Sequence, residues 1–114
     1  MNKLTHGLMA LAAVAIAPTP ASASTSQMGT ASGFTSISNG ALLFNHNGSR
    51  TAVPACATSF AGRWAIDAST VAGQSMIAVM INAYNRGKQV YIAGTGTCSI
   101  WGDTETISYM VVQD

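Results

Sequence analysis

The stretch TVAGQSMIAVMINAYNRGKQVYIAGTGTC, residues 70–98, decides the fold. Thr70 is a helix-capping residue type, the run from Val71 to Asn85 or Arg86 has helical periodicity, and Gly87 can end the helix in a left-handed conformation. At about 100° per residue, Met76, Ile77, Val79, Met80, Ile81, Ala83 and Tyr84 fall on one side, with Gln74, Ser75, Ala78, Asn82, Asn85 and Arg86 on the other. The apolar arc covers about 200°, wider than the roughly 100° stripe that a single core contact needs. Its methionines read as adaptable core filler, and the excess width leaves room for a contact with a second subunit. Lys88 to Cys98 follows as a strand, with Val90, Ile92 and Cys98 on one face and Gln89, Tyr91, Thr95 and Thr97 on the other. Gly94 and Gly96 let that strand bend or let another backbone approach it closely.

Working outward, Arg63 to Asp67 alternates polar and apolar residues and reads as a short strand with Trp64 and Ile66 inward. Ser32 to Phe44 is rich in β-branched and aromatic residues and is broken by Asn39-Gly40, a pair that tolerates the positive φ of a tight turn; this predicts a hairpin. Asn45 to Arg50 reads as an exposed loop, and Pro54-Ala55-Cys56 as extended chain. Glu105 to Val112 closes the domain, with Ile107, Tyr109 and Val111 expected on one face and Thr106, Ser108 and Met110 on the other. Ser24 to Thr30 has no period, so residues 24–31 are expected to form a loose N-terminal arm and residues 32–114 the single domain. Five short strands with one helix between the third and fourth make a mainly β, α+β protein, an arrangement that suits a small OB-like barrel. An open antiparallel sheet with the helix laid on one face is the competing architecture.

Met1-Asn2-Lys3, the apolar run Leu8 to Ala17 and the small residues Ala21-Ser22-Ala23 have the layout of a secretory signal peptide, expected to span residues 1–23 and to be removed near Ser24. The apolar run is about half the roughly 20 residues that a membrane-crossing helix requires, and no other run is longer, so no membrane span is expected. A secreted or periplasmic protein follows. Beyond the leader, Arg50, Arg63, Arg86 and Lys88 stand against Asp67, Asp103, Glu105 and Asp114, a balance that offers no basic face to nucleic acid or anionic lipid. Eleven Ser and ten Thr between Ser24 and Asp114 supply the polar surface instead. Cys56 and Cys98 are the only cysteines, and in an exported chain they are expected to form a disulfide contributing about 4 kcal/mol by chain-entropy reasoning. A metal or redox site would need Cys-x-x-Cys spacing or neighbouring histidines, which are absent from the sequence, so no metal or cofactor is expected.

Few residues point to catalysis. His46, the one histidine beyond the leader, lies in a polar stretch and reads as a solvated loop residue. Asp103 and Glu105, two apart at a strand start, resemble the carboxylate pair of a glycosidase but also fit a turn and an edge charge, Trp101-Gly102-Asp103 being turn-like. The protein is therefore read as non-enzymatic. Aromatic residues favour binding: Trp64, Tyr84 and Tyr109 are expected in the core, whereas Tyr91, on the polar face of its strand, and Trp101, in a loop beside the cysteine bridge, are candidate ligand contacts. A small hydrolase and an exported structural or inhibitor-like interaction domain without sugar binding are the alternatives to a binding module.

Cys56, Trp64, the helix and Ala83-Tyr84-Asn85-Arg86-Gly87-Lys88-Gln89-Val90 together resemble the central part of the B subunits of subtilase cytotoxin and of related pertussis-like toxins. Ser32-Gly33 followed by a β run is similar to their first strand, so the resemblance covers Ser32 to Val90. Gly94 to Cys98 with Trp101 to Glu105 is similar to a group of small exported bacterial proteins. The toxin resemblance implies an OB-like barrel, a ring-shaped homopentamer with helices lining its centre, a catalytic partner subunit, and recognition of cell-surface glycans or glycoproteins. It also implies that Ser32, matching a first-strand serine, contacts the sugar.

Overall fold

The computed structural model describes residues 23–114, so the expected leader, apart from Ala23, lies outside the described residues. The chain is mainly β with one helix. Its elements run β1 (Thr25–Gly29), β2 (Ala31–Ser36), β3 (Ala41–His46), β4 (Arg50–Thr51), a 3₁₀ segment (Ala55–Phe60), β5 (Arg63–Asp67), α1 (Val71–Asn85), β6 (Val90–Gly94) and β7 (Glu105–Val112).

The helix forms where its end signals place it. The Thr70 hydroxyl accepts the Gly73 N–H at 2.9 Å, satisfying one of the free donors of the first turn. At the other end Gly87 takes φ +66°, the Lys88 N–H reaches the Ala83 carbonyl at 2.9 Å, and the Gly87 N–H reaches that of Tyr84 at 3.2 Å. This paired reversal absorbs carbonyls that the helix itself leaves unbonded. The wide apolar arc is divided: Met80 and Ala83 are buried, Met76 and Ile77 pack half-buried against the core, and Val79 and Tyr84 are exposed.

The strands form one seven-stranded mixed sheet in the order β2-β3-β5-β7-β6-β1-β4. All pairs are antiparallel except β5 with β7, which run parallel because the intervening chain crosses over through α1 and β6. Two expectations are corrected here. The sheet has seven strands rather than five, and its hydrogen-bonded order is open rather than a closed barrel, with β2 on one edge and the two-residue β4 on the other. The extra strands come from the segment expected to be a loose arm and from the loop after His46. Residues 25–29 pair with both β4 and β6, and Gln27 N–H bonds the Ser49 carbonyl at 2.9 Å. Polar composition hid this strand, because Ser24 and Ser26 are buried with their hydroxyls hydrogen-bonded.

The core lies between α1 and one sheet face: Leu42, Phe44, Trp64, Ile66, Met80, Val90, Ile92 and Ile107 are buried together. A smaller cluster covers the opposite face, where Ala41, Leu43 and Ala65 sit beneath Ile37, Ile100 and Trp101. Burial on both faces explains why β3 reads as a continuous apolar run. The predicted alternation of β7 fails beyond Ile107. Ala93 pairs with Tyr109 and Gly94 with Ile107, so Ser108 is an extra residue at a bulge, and past it Met110 and Val112 turn inward. Tyr109, expected in the core, is therefore exposed; Tyr84, also expected there, is exposed on α1 with its ring against that of Phe34, whereas Trp64 is fully buried as expected. The strand after the helix is shorter than expected, Val90–Gly94 instead of Lys88–Cys98. Cys56 and Cys98 form a disulfide that ties the 3₁₀ segment to the loop after β6.

Candidate functional site

The outer face of β2, β3 and β5 gathers polar groups in register. Ser32 on β2 is exposed and lies directly across from Asn45 on β3, which in turn lies across from Arg63 on β5. Directly opposite residues point to the same side of a sheet, so a hydroxyl, an amide and a guanidinium form a row. The register shifts between Ser32 and Thr35, and Gly33 takes φ +62° there. A Cβ at Gly33 would stand 2.8 Å from Asn45 Nδ2, so the absence of a side chain lets the amide lie over the β2 backbone.

Arg63 is held from three sides. Its Nε donates to Thr104 Oγ1 at 2.8 Å, Nη2 donates to Asp103 Oδ1 at 2.6 Å, and the guanidinium lies 4.0 Å from the centre of the exposed Phe60 ring. Trp101 completes the same side further along, bridged to Thr104 and packed over Ala41, Leu43 and Ala65. The surface offers fixed donors and acceptors beside aromatic rings, with its one charge pair internally neutralised. Such a surface suits a neutral polyhydroxylated ligand better than a highly charged one.

Of the three predicted contacts, Ser32 and Trp101 lie on this side of the sheet, and Tyr91 does not join them. Tyr91 is on β6, opposite Val111, with its ring 6.3 Å from that of Tyr109. There it belongs to an apolar patch with exposed Tyr109 and Val111. A groove of about 340 Å³ lined by Met76, Val79, Ser108, Tyr109 and Met110 runs between α1 and β7. Asn45, Arg63 and Phe60 were not singled out from sequence. The signal for Asn45 was its position at an alternating site after Leu43, obscured by the turn-like Asn45-His46-Asn47-Gly48 run.

Asp103 and Glu105 do not converge. Asp103 serves Arg63 at the surface, while Glu105 is fully buried and bonded to Arg50 Nη2 at 2.6 Å, the Ser24 hydroxyl and the Gly96 N–H at 2.8 Å. Arg50 in turn lies 3.9 Å from the centre of the Trp64 ring. The Glu105 carboxylate is thus committed inside the domain, and its longest contact is the Ser24 N–H at 3.4 Å from Oε2.

His46, expected to be a solvated loop residue, is instead the buried last residue of β3. Its Nε2 bonds the Val90 carbonyl at 2.8 Å, which requires a proton on Nε2, and its Nδ1 lies 2.7 Å from Ser26 Oγ. Burial holds the imidazole below its ordinary value of 6.5, outweighing the backbone hydrogen bonds at Val90 and Gly29, which favour the charged form. Ser26 is itself buried and its Oγ also lies 3.1 Å from the Gly48 carbonyl; with Nε2 protonated, its single hydroxyl hydrogen is shared between Nδ1 and that carbonyl, and the pair links β1, β3 and β6 inside the sheet.

Among the described residues, no helix is long and apolar enough to cross a membrane. No protein-family profile, curated protein or solved structure matches this chain.

Proposed function

We propose that this protein is an exported, non-enzymatic binding module that recognises a cell-surface glycan or glycoprotein through the outer face of β2, β3 and β5. The observation that carries this reading is the row Ser32, Asn45 and Arg63, placed in register on one face and flanked by the Phe60 and Trp101 rings. Sugar recognition needs directional polar groups on a rigid support beside an apolar ring face, and regular strands supply that support.

An OB-like wrapping is part of the same proposal. Residues 25–36 form nearly one strand, interrupted at Thr30: β1 pairs with β6 at one end of the sheet order and β2 with β3 at the other. The parallel β5–β7 pair and the helix between β5 and β6 support it. We further propose assembly into a homo-oligomer, a pentameric ring favoured, through the exposed apolar strip of Val79, Tyr109 and Val111 beside the α1–β7 groove. A catalytic partner subunit would then complete the exported complex.

Glycan-array screening of the disulfide-bonded protein tests the reading. Retention of a defined sugar, lost on Ser32→Ala and on Asn45→Ala but kept on Tyr91→Ala, is the expected result. A blank array together with specific capture of a protein ligand would instead favour an interaction domain without sugar binding. Tyr91→Ala and Val79→Lys should lower the mass seen in sedimentation equilibrium without unfolding the chain.

A further inference from the structure

The backbone passes from solvent to interior at a single peptide bond. Ala23 is exposed and Ser24 is fully buried. The Ser24 N–H points at Glu105 Oε2 at 3.4 Å, its hydroxyl is bonded to Glu105 Oε1, and its carbonyl accepts the Gly94 N–H at 2.8 Å. Ala23–Ser24 is also the bond at which the leader reading places cleavage.

We propose that cleavage after Ala23 makes the Ser24 α-ammonium a second cationic partner of buried Glu105, so that the mature N-terminus is locked into the sheet by an ion pair. The inference rests on the leader reading and is independent of what the outer face binds. Hydrolysis by a signal peptidase adds one water across the bond. The carboxylate leaves on Ala23, and the freed Ser24 amine takes a proton at neutral pH. The amide N–H that now approaches Glu105 weakly would then be replaced, at the same atom, by three donors carrying a positive charge.

The surroundings accommodate this second cation. The charged groups facing Ser24 are Glu105 from β7 and Arg50 from β4; β6 presents the Gly94 backbone, and the segment after it presents the Gly96 N–H. Arg50 does not depend on Glu105 alone, since its Nη1 donates to the Ala61 and Arg63 carbonyls and its guanidinium lies over Trp64. Arg50 Nε reaches Ser24 Oγ at 3.2 Å, which orients the Ser24 side chain and leaves its nitrogen toward Oε2. Gly94 is required as well: a Cβ there would collide with the Glu105 carboxylate and with Trp64.

The test compares two chains that differ by one exposed residue, one beginning at Ser24 and one at Ala23, each with its disulfide formed. In the Ser24 chain the α-amine should react with a methylating reagent at least tenfold more slowly than in the Ala23 chain, whose amine lies in solvent. Its folding equilibrium constant at pH 6.5 should be at least tenfold larger. A group whose folded pKa is raised contributes stability that is fully present below the unfolded value, near 8 for an α-amine, and is lost as the pH rises through the folded value. The advantage of the Ser24 chain should therefore vanish in strong alkali, and Glu105→Gln should abolish it at every pH. If Glu105→Gln does not fold, amine reactivity in the unsubstituted chains decides alone. Equal amine reactivity, or equal stability of the two chains at pH 6.5, overturns the ion pair. N-terminal sequencing of the exported protein that finds a start other than Ser24 overturns the premise separately.

Discussion

Two arginine–carboxylate pairs sit on opposite sides of the same sheet, each with an N–O distance of 2.6 Å, and they do different work. Arg50 and Glu105 are 7% and 0% exposed, whereas Arg63 and Asp103 are 22% and 46% exposed. Identical contact chemistry therefore has different consequences. An interior charge is tolerated only when its partners are complete, and the inner pair is enclosed by Ser24, the Gly96 N–H, the Ala61 and Arg63 carbonyls and the Trp64 face. The outer pair is wet and contributes about 0–1 kcal/mol.

The comparison breaks most directly at Arg50. In a chain beginning at Ala23, whose amine lies in solvent, Arg50→Met should destabilise the fold by about 3–5 kcal/mol, because Glu105 is left as an unpaired buried charge. Adding Glu105→Leu should recover much of that loss, since removing both charges removes the desolvation problem. Urea unfolding of the single and double variants checks both statements.

The disulfide bears on both pairs. It joins the segment carrying Phe60, followed by Ala61, to the loop that carries Gly96 and leads to Trp101 and Asp103. Replacing Cys56 and Cys98 by Ala should cost about 2–4 kcal/mol. It should also weaken the glycan binding proposed for the outer face, measured at a temperature where the variant is still folded.

His46 supplies a smaller effect with a defined sign. Its lowered pKa means that its contribution is fully present above pH 6.5 and is lost as the pH falls through the folded value. Stability should fall between pH 7.5 and pH 5, and His46→Gln should flatten that part of the profile. The smallest effect is expected at the outer pair, where Asp103→Asn should change stability by less than about 1 kcal/mol while altering the proposed glycan binding.

What was legible in the sequence followed local rules. Thr70 and Gly87 marked the ends of α1, Asn39-Gly40 marked the β2–β3 turn, and Trp64 and Ile66 marked the inner face of β5. The pairing of the two cysteines followed from their number. What stayed hidden depends on partners distant in the chain. Ser26 and Glu105 are polar residues that look solvated until His46 and Arg50, 20 and 55 positions away, close on them. The β7 bulge escaped because nothing in Ile107-Ser108-Tyr109 marks an extra residue; only pairing with the Ala93–Gly94 segment does so. Ser32, taken from the resemblance, and Trp101, taken from its loop position, both lie on the outer face. Asn45 and Arg63 join them through cross-strand register, which no local pattern encodes.

The division of labour between the two pairs is tested most directly by double-mutant cycles on Arg50/Glu105 and Arg63/Asp103, each residue replaced by an uncharged residue of similar size and stability read by urea unfolding. The account predicts a coupling energy of at least about 2 kcal/mol for the inner pair and no more than about 1 kcal/mol for the outer. Equal couplings, or a larger one at the outer pair, would contradict it.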